Sequence, residues 1–138
     1  MTSGLSDTAV FNWPVRVYYE DTDAGGVVFY ANYLKFFERA RTEFLRSYGV
    51  EQDALVAEQG IIFVVRSVKI DYLKPARFNE LLAVSAKIIE IKKTNLTFEQ
   101  AVTRHQQVLC AGEVRIACLD ARTMKPKPIP FAILEQLS

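Results

Sequence analysis

One histidine, two cysteines and a formal charge of +1 leave this 138-residue chain short of the groups that several chemistries need. A serine triad requires a histidine and commonly a G-x-S-x-G elbow; His105 is the sole histidine and no serine sits in such an elbow. His105 therefore reads as a strand-end or surface residue. Cys110 and Cys118 fall in what reads as one strand, where their separation is roughly 26 Å, too far for a disulfide. Neither their spacing nor His105 suggests a zinc site, so no metal is expected and a reducing cytoplasm is the simplest compartment. Near-neutral charge argues against a broad basic field for nucleic acid. The opening MTSGLSDTAVFNW lacks the basic start and apolar run of a signal peptide. No apolar run is long enough to predict a transmembrane segment.

Half of the residues are hydrophobic, which excludes disorder and fits one domain over 1–138, with an arm at 1–12 and a tail at 121–138. Trp13 to Glu20 reads as a first strand. Tyr30, Tyr33, Leu34, Phe37, Ala40, Phe44, Leu45 and Tyr48 recur at helical spacing, which predicts a long helix near 29–48 that Gly49 stops, with Phe36 outside the main stripe. Residues 51–59 read as a short helix or turn. Ile61 to Leu73 reads as a strand whose apolar pattern changes at Arg66, where a bulge or a change of environment is expected. Leu81 to Ile91, Leu96 to Arg104 and Val108 to Asp120 follow as further strands, the last with Val108, Cys110, Gly112, Val114, Ile116 and Cys118 on its buried face. The tail KPKPIPF has too many prolines for a central strand, and only the residues after it allow a short helix. The order predicts an α+β domain in which one central helix is wrapped by an antiparallel sheet of about five strands.

The chemistry-bearing stretch is YYEDTDAGGVVFYANYLKFFERARTEFLR at 18–46. It sets an acidic, glycine-containing turn against the start of the long helix, where unpaired N–H groups and the peptide dipoles favour negative charge. Such an end polarises a carbonyl oxygen under attack, and Asp23 beside it serves as nucleophile or general base. The plainer reading is that Asp21 or Asp23 forms an Asx-turn or caps the helix, and that Gly25 and Gly26 permit the loop. Glu38 reads as a salt link to Arg41 or Lys35, or else as a group holding a water. Lys92 and Lys93, and Lys125 and Lys127, are basic pairs available to the phosphates of coenzyme A or simply solvated. Tyr18, Tyr19, Phe29 and Phe36 read as core packing or as an acyl slot.

The segments WPVRVYYEDTDAGGVVFYANYLKFFERARTEFL at 13–45, FVVR at 63–66, YLKPAR at 72–77 and MKPKPIP at 124–130 together resemble the hotdog-fold acyl-CoA thioesterases of the 4-hydroxybenzoyl-CoA thioesterase type, especially the Tol-Pal-associated branch. The resemblance implies a hotdog fold, acyl-CoA as substrate, Asp23 as the catalytic carboxylate and the Tyr30 backbone N–H as donor to the thioester oxygen. Gly26, Val27 and Phe29 would line the substrate site, with Lys92 and Lys93 on coenzyme A. It implies a homodimer or homotetramer with the site between subunits, and no cofactor, since coenzyme A is part of the substrate. Many members of the Tol-Pal-associated branch carry histidine where this chain has Tyr30, and the hydroxybenzoyl branch carries tyrosine. A rival from another class is a non-catalytic module that holds acyl-CoA or acyl carrier protein for an envelope or lipid-synthesis assembly.

Overall fold

The computed structural model describes residues 10–137. Five strands, β1 (Phe11–Arg16), β2 (Ile61–Tyr72), β3 (Leu81–Ile91), β4 (Asn95–Arg104) and β5 (Gln107–Asp120), make one antiparallel sheet in the order β1-β3-β4-β5-β2. The long helix α1 (Asn32–Ser47) packs on its inner face, and a short helix α2 (Phe131–Leu137) follows the proline-rich tail. This is the expected α+β arrangement. Of the arm read at 1–12, positions 1–9 lie outside the described residues, while Phe11 and Asn12 already pair with Ala86 and Ser85.

The first strand is shorter than the reading of Trp13 to Glu20 and begins earlier. Pro14 is accommodated because β1 is an edge, where one missing ladder donor is harmless. The chain then leaves the sheet because Asp21 reaches back: its Oδ2 accepts the Tyr18 N–H at 2.9 Å, and Tyr19–Asp21 tighten into a 3₁₀ turn.

In α1 the buried stripe is Asn32, Tyr33, Phe36, Phe37, Ala40, Arg41, Phe44 and Leu45. Phe36 is inside and Leu34 is 39 % exposed, the reverse of the sequence reading. The helix enters through a 3₁₀ turn, with Asn32 N–H on Phe29 O at 2.8 Å and Tyr33 N–H on Tyr30 O at 3.2 Å, so the α-helix proper starts at Asn32. It ends as expected at Gly49, whose φ of 80° permits a left-handed cap. The Gly49 N–H bonds Arg46 O and the Val50 N–H bonds Leu45 O, satisfying two final carbonyls.

Phe36, Phe37, Leu45, Ile61, Leu82, Leu96 and Phe98 fill the space between helix and sheet. The bulge expected in β2 is present at Arg66, skipped between the pairs Val65–Ile116 and Ser67–Arg115. A second bulge in β5 skips Leu109, between Val102–Cys110 and Thr103–Val108. It turns both Leu109 and Cys110 inward and leaves Val108 40 % exposed, which corrects the buried face read for this strand. Burial pushes the Cys110 thiol up to about 12, so it is an inert core group. His105 sits exposed in the β4–β5 hairpin turn with φ of 48°. The sheet's outer face carries charge, with Lys87, Glu99, Glu113 and Lys69 in one row across β3, β4, β5 and β2. Among the described residues no helix is long and apolar enough to cross a membrane.

Candidate active site

Asp21 and Asp23 are two positions apart and have opposite surroundings. Asp21 is 3 % exposed, and its carboxylate is fully engaged: Oδ2 takes the Tyr18 N–H and Oδ1 takes the Asn32 Nδ2–H at 3.0 Å. Its carbonyl accepts the Phe29 N–H, so the acid turn is tied to the entry of α1 at two points. Asp23 is exposed. Its Oδ1 accepts the Gly25 N–H at 2.8 Å, an Asx-turn, and Oδ2 has no partner among the described residues.

The turn is closed by pairing of Thr22 with Val28, by the Asp23 N–H on Val27 O at 2.9 Å and by the Gly26 N–H on Asp23 O at 3.0 Å. Gly26 has φ of 82°, a conformation that any side chain would strain. Val27 pairs with Arg77 and the Val28 N–H bonds Ala76 O, which anchors the turn to the segment after β2. The ladder places Asp23 one step from the Thr22–Val28 pair, with Phe29 and Tyr30 directly following Val28.

Between Phe29, whose N–H is bonded to Asp21 O, and Asn32, whose N–H is bonded to Phe29 O, the Tyr30 and Ala31 N–H groups have no hydrogen bond among the described residues. These are two of the unsatisfied donors of a helix entry. The Tyr30 side chain is 62 % exposed rather than on the buried face, stacked near Phe29 at 5.0 Å and edge-on to Tyr72 at 5.6 Å. Tyr30, Tyr33, Tyr72, Lys74 and Pro75 line a cavity of about 220 Å³ at this end of the helix. The buried Tyr33 hydroxyl accepts the Ala76 N–H at 3.0 Å, and burial pushes its phenol up, so it stays protonated.

Asp23, Gly26, Val27, Phe29 and Tyr30 thus belong to one compact turn. Lys92 and Lys93 do not join them. Arg16 at the end of β1 pairs with Leu81, at the start of β3, whereas the two lysines follow Ile91 at its other end. The length of β3 separates them from the turn by about 30 Å. Tyr18 and Tyr19 are 61 % and 76 % exposed, so the core-packing reading fails for both, and Tyr19 instead stacks on Phe78 at 3.9 Å. Glu38 makes no ion pair among the described residues, against the expected link to Arg41 or Lys35. No group of three or more His, Cys, Asp or Glu side chains that could hold a metal ion occurs among the described residues.

Three features escaped the sequence reading. The Ala31 N–H, like that of Tyr30, has no hydrogen bond among the described residues, Asn32 is a buried partner of Asp21, and Arg41 is buried. Only Asn32 had a visible signal, a polar residue on the stripe side of the helix immediately before Tyr33.

Residues 17–137 match the family model described as the thioesterase-like superfamily. The chain is 44% identical over 131 residues to the acyl-CoA thioester hydrolase YbgC of Escherichia coli, covering 94% of this chain and 97% of the relative. It is 48% identical over 120 residues to the acyl-CoA thioesterase YbgC of Haemophilus influenzae, covering 87% and 88%. The crystal structure of a probable thioesterase from Bartonella henselae superposes with a TM-score of 0.84 at 35% identity, covering 88% of this chain and 100% of that one. An antiparallel five-stranded sheet around one long helix, with these similarities over nearly its whole length, makes this chain a hotdog-fold member of the thioesterase-like superfamily.

Proposed function

We propose that the chain hydrolyses acyl-CoA thioesters to free acid and coenzyme A at the Asp23 turn. The observation that carries this is the meeting, in one turn, of a carboxylate oxygen, Asp23 Oδ2, and two N–H groups, those of Tyr30 and Ala31, that have no hydrogen-bond partner among the described residues. The relatives described as acyl-CoA thioester hydrolases support the same substrate class.

The thioester carbonyl oxygen rests against the Tyr30 N–H, with the Ala31 N–H as a second donor, and takes up negative charge as the carbon is attacked. Removing one such donor typically costs roughly 3 to 4 kcal/mol of barrier. Asp23 Oδ2 either takes a proton from a water whose oxygen adds to the carbonyl carbon, or adds to that carbon itself to form an anhydride that water then opens. On either route the C–S bond breaks on collapse and the electron pair leaves on sulfur. The thiolate of coenzyme A is a good leaving group, so no histidine acid and no cofactor enter the scheme.

The motif at 13–45 supports the finer placement in the Tol-Pal-associated branch of the 4-hydroxybenzoyl-CoA type. A homodimer is supported by an exposed apolar strip, Leu34, Val65, Val68, Tyr72 and Leu73, beside β2, an edge strand free to pair. Pairing of dimers would give a tetramer. Lys92 and Lys93 enter this reading only as a contribution from a second copy. Acyl carrier protein stands as the alternative carrier of the acyl group. A thiol-release assay over short, long and aromatic acyl-CoAs tests the proposal. Turnover of at least one supports it, and binding without turnover on all of them would leave a non-catalytic acyl-CoA module.

A further inference from the structure

Tyr33 is buried in the first turn of α1, and it is engaged at both ends. Its backbone N–H bonds Tyr30 O at 3.2 Å, while its hydroxyl oxygen accepts the Ala76 N–H at 3.0 Å. Ala76 is fully buried, and its carbonyl accepts the Val28 N–H at 2.8 Å. Followed in order, these bonds close a ring. It runs from the Tyr33 N–H to Tyr30, back along the chain to Val28, across to Ala76, and from Ala76 to the Tyr33 hydroxyl.

The two N–H groups assigned to the thioester oxygen lie on this ring. A peptide unit is planar and trans, so its N–H points opposite to the C=O of the same unit. The Tyr30 N–H shares its plane with Phe29 O, which takes the Asn32 N–H at 2.8 Å. The Ala31 N–H shares its plane with Tyr30 O, which takes the Tyr33 N–H. The helix entry therefore fixes the directions of both donors but not their distance from Asp23. That distance is set by the turn, where Thr22 pairs with Val28 and the Asp23 N–H bonds Val27 O at 2.9 Å. Val28 is thus the joint between carboxylate and donors, and Ala76 holds that joint against the rest of the fold.

Ala76 is a firm support because the segment around it is tied down separately. The Leu73 and Lys74 N–H groups both bond Leu109 O. Arg104 Nη1 reaches Pro75 O at 3.3 Å and both carboxylate oxygens of Glu80 at 2.9 and 3.0 Å, and Glu80 Oε1 takes the Arg77 N–H at 2.7 Å. Between this support and α1 the Tyr33 hydroxyl is the polar link. Without it the Ala76 N–H is left in a buried place with no acceptor, which is unfavourable enough to shift the peptide, and Val28 shifts with it.

Resting on the thioesterase reading above, we propose that Tyr33 is a positioning residue for that reaction: its hydroxyl, through Ala76 and Val28, sets the Tyr30 and Ala31 N–H groups at the spacing from Asp23 that the attacked carbonyl requires. The hydroxyl touches no reacting atom. A displaced donor weakens an interaction made mainly in the transition state, so kcat falls while KM hardly moves.

The test is Tyr33→Phe in the full-length chain, on whichever of butyryl-CoA, palmitoyl-CoA and benzoyl-CoA the parent turns over fastest. Its kcat is expected to fall about tenfold to a hundredfold, with KM within about twofold. A smaller folded fraction also lowers kcat, so a second readout is one that it does not move. This is the stretching frequency of the isotope-labelled thioester carbonyl bound to Asp23→Asn, which holds the substrate with little turnover. Hydrogen bonds from the two N–H groups lower that frequency relative to the same acyl-CoA in buffer, and the band position does not depend on how much protein is folded. Adding Tyr33→Phe is expected to return the band about halfway or more toward the free value. Where Tyr33→Phe does not fold, Arg104→Met, which slackens the same support from its partly exposed side, is expected to return the band in the same direction. A band already at the free value in Asp23→Asn, a band that the folded variant leaves unmoved, or an unchanged kcat in Tyr33→Phe would overturn this inference alone while the parent hydrolyses its substrate. Absence of thiol release by the parent from all three acyl-CoAs would overturn the thioesterase reading together with it.

Discussion

Asp21 Oδ1 accepts a buried hydrogen bond of 3.0 Å from Asn32 Nδ2, and this single contact ties the acid turn to the first residue of α1. Because Oδ2 of the same carboxylate holds the Tyr18 N–H, Asp21 fixes where the turn leaves the sheet and where it meets the helix. Asp21→Ala strands the buried Asn32 amide donor and takes the acceptor from the part-buried Tyr18 N–H, at about 1–3 kcal/mol for a stranded donor. Urea unfolding should therefore show a loss on the order of 2–5 kcal/mol, and acyl-CoA turnover should fall with it, since Asp23 and the Tyr30 N–H are no longer held in register. Stability equal to wild type would show that the contact does not organise the turn.

The backbone assignment at Tyr30 makes a prediction about its side chain. The Tyr30 hydroxyl has no hydrogen bond among the described residues, and the ring is mostly exposed. A main-chain donor survives any side-chain change that keeps the fold, so Tyr30→Phe should keep kcat within about threefold of wild type. A loss of a hundredfold in a steady-state assay would assign the chemistry to the phenol instead.

Gly112 is required by its neighbour across the sheet. A Cβ there would overlap the Lys69 carbonyl oxygen and lie 3.1 Å from the Ile70 Cα, because β2 and β5 approach closely at this pair. The obstruction is backbone and has no side chain to yield, so Gly112→Ala should destabilise by about 1–3 kcal/mol in urea unfolding. It should also push β2 outward, at the edge on which a dimer would form.

Arg41 gives a pH dependence whose sign follows from its depressed pKa. Above pH 10 the folded state releases the Arg41 proton while the unfolded state keeps it, so wild-type stability gains from rising pH in that window. Below about 10 the full penalty of the buried charge is present. Relative to wild type, Arg41→Met should therefore look most favourable at neutral pH and lose ground as pH climbs through 10. Parallel unfolding curves at pH 7 and pH 10.5 check this, and a pH-independent difference would mean that Arg41 is not titrating as a buried group.

Periodicity located the helix and alternation located most of the sheet, because both report which face is buried. They failed where a local event changed the phase. The Leu109 bulge shifted the start of β5 by one residue, and the cap made by Asp21 cut β1 short, neither of which leaves a pattern in the residues alone. Phe36 and Leu34 exchanged places because the helix entry is 3₁₀ and the stripe is counted from Asn32 rather than from Tyr30. At the site, the acid–glycine turn at the start of a helix was legible from type and spacing, whereas spacing put Tyr30 on the buried stripe and only the family resemblance pointed to its N–H. The resemblance singled out Asp23, but the burial of Asp21 left no pattern in the residues, since it depends on Asn32 and Tyr18 turning toward that one carboxylate.

The most direct test of the central claim is Asp23→Asn, which keeps the oxygen that accepts the Gly25 N–H and removes the basic oxygen opposite it. Turnover of the best acyl-CoA, followed by thiol release, should fall about 10²–10⁴-fold, while binding of a non-hydrolysable acyl-CoA thioether stays close to wild type. Turnover within a few-fold of the parent would contradict the assignment of Asp23 as the reacting carboxylate.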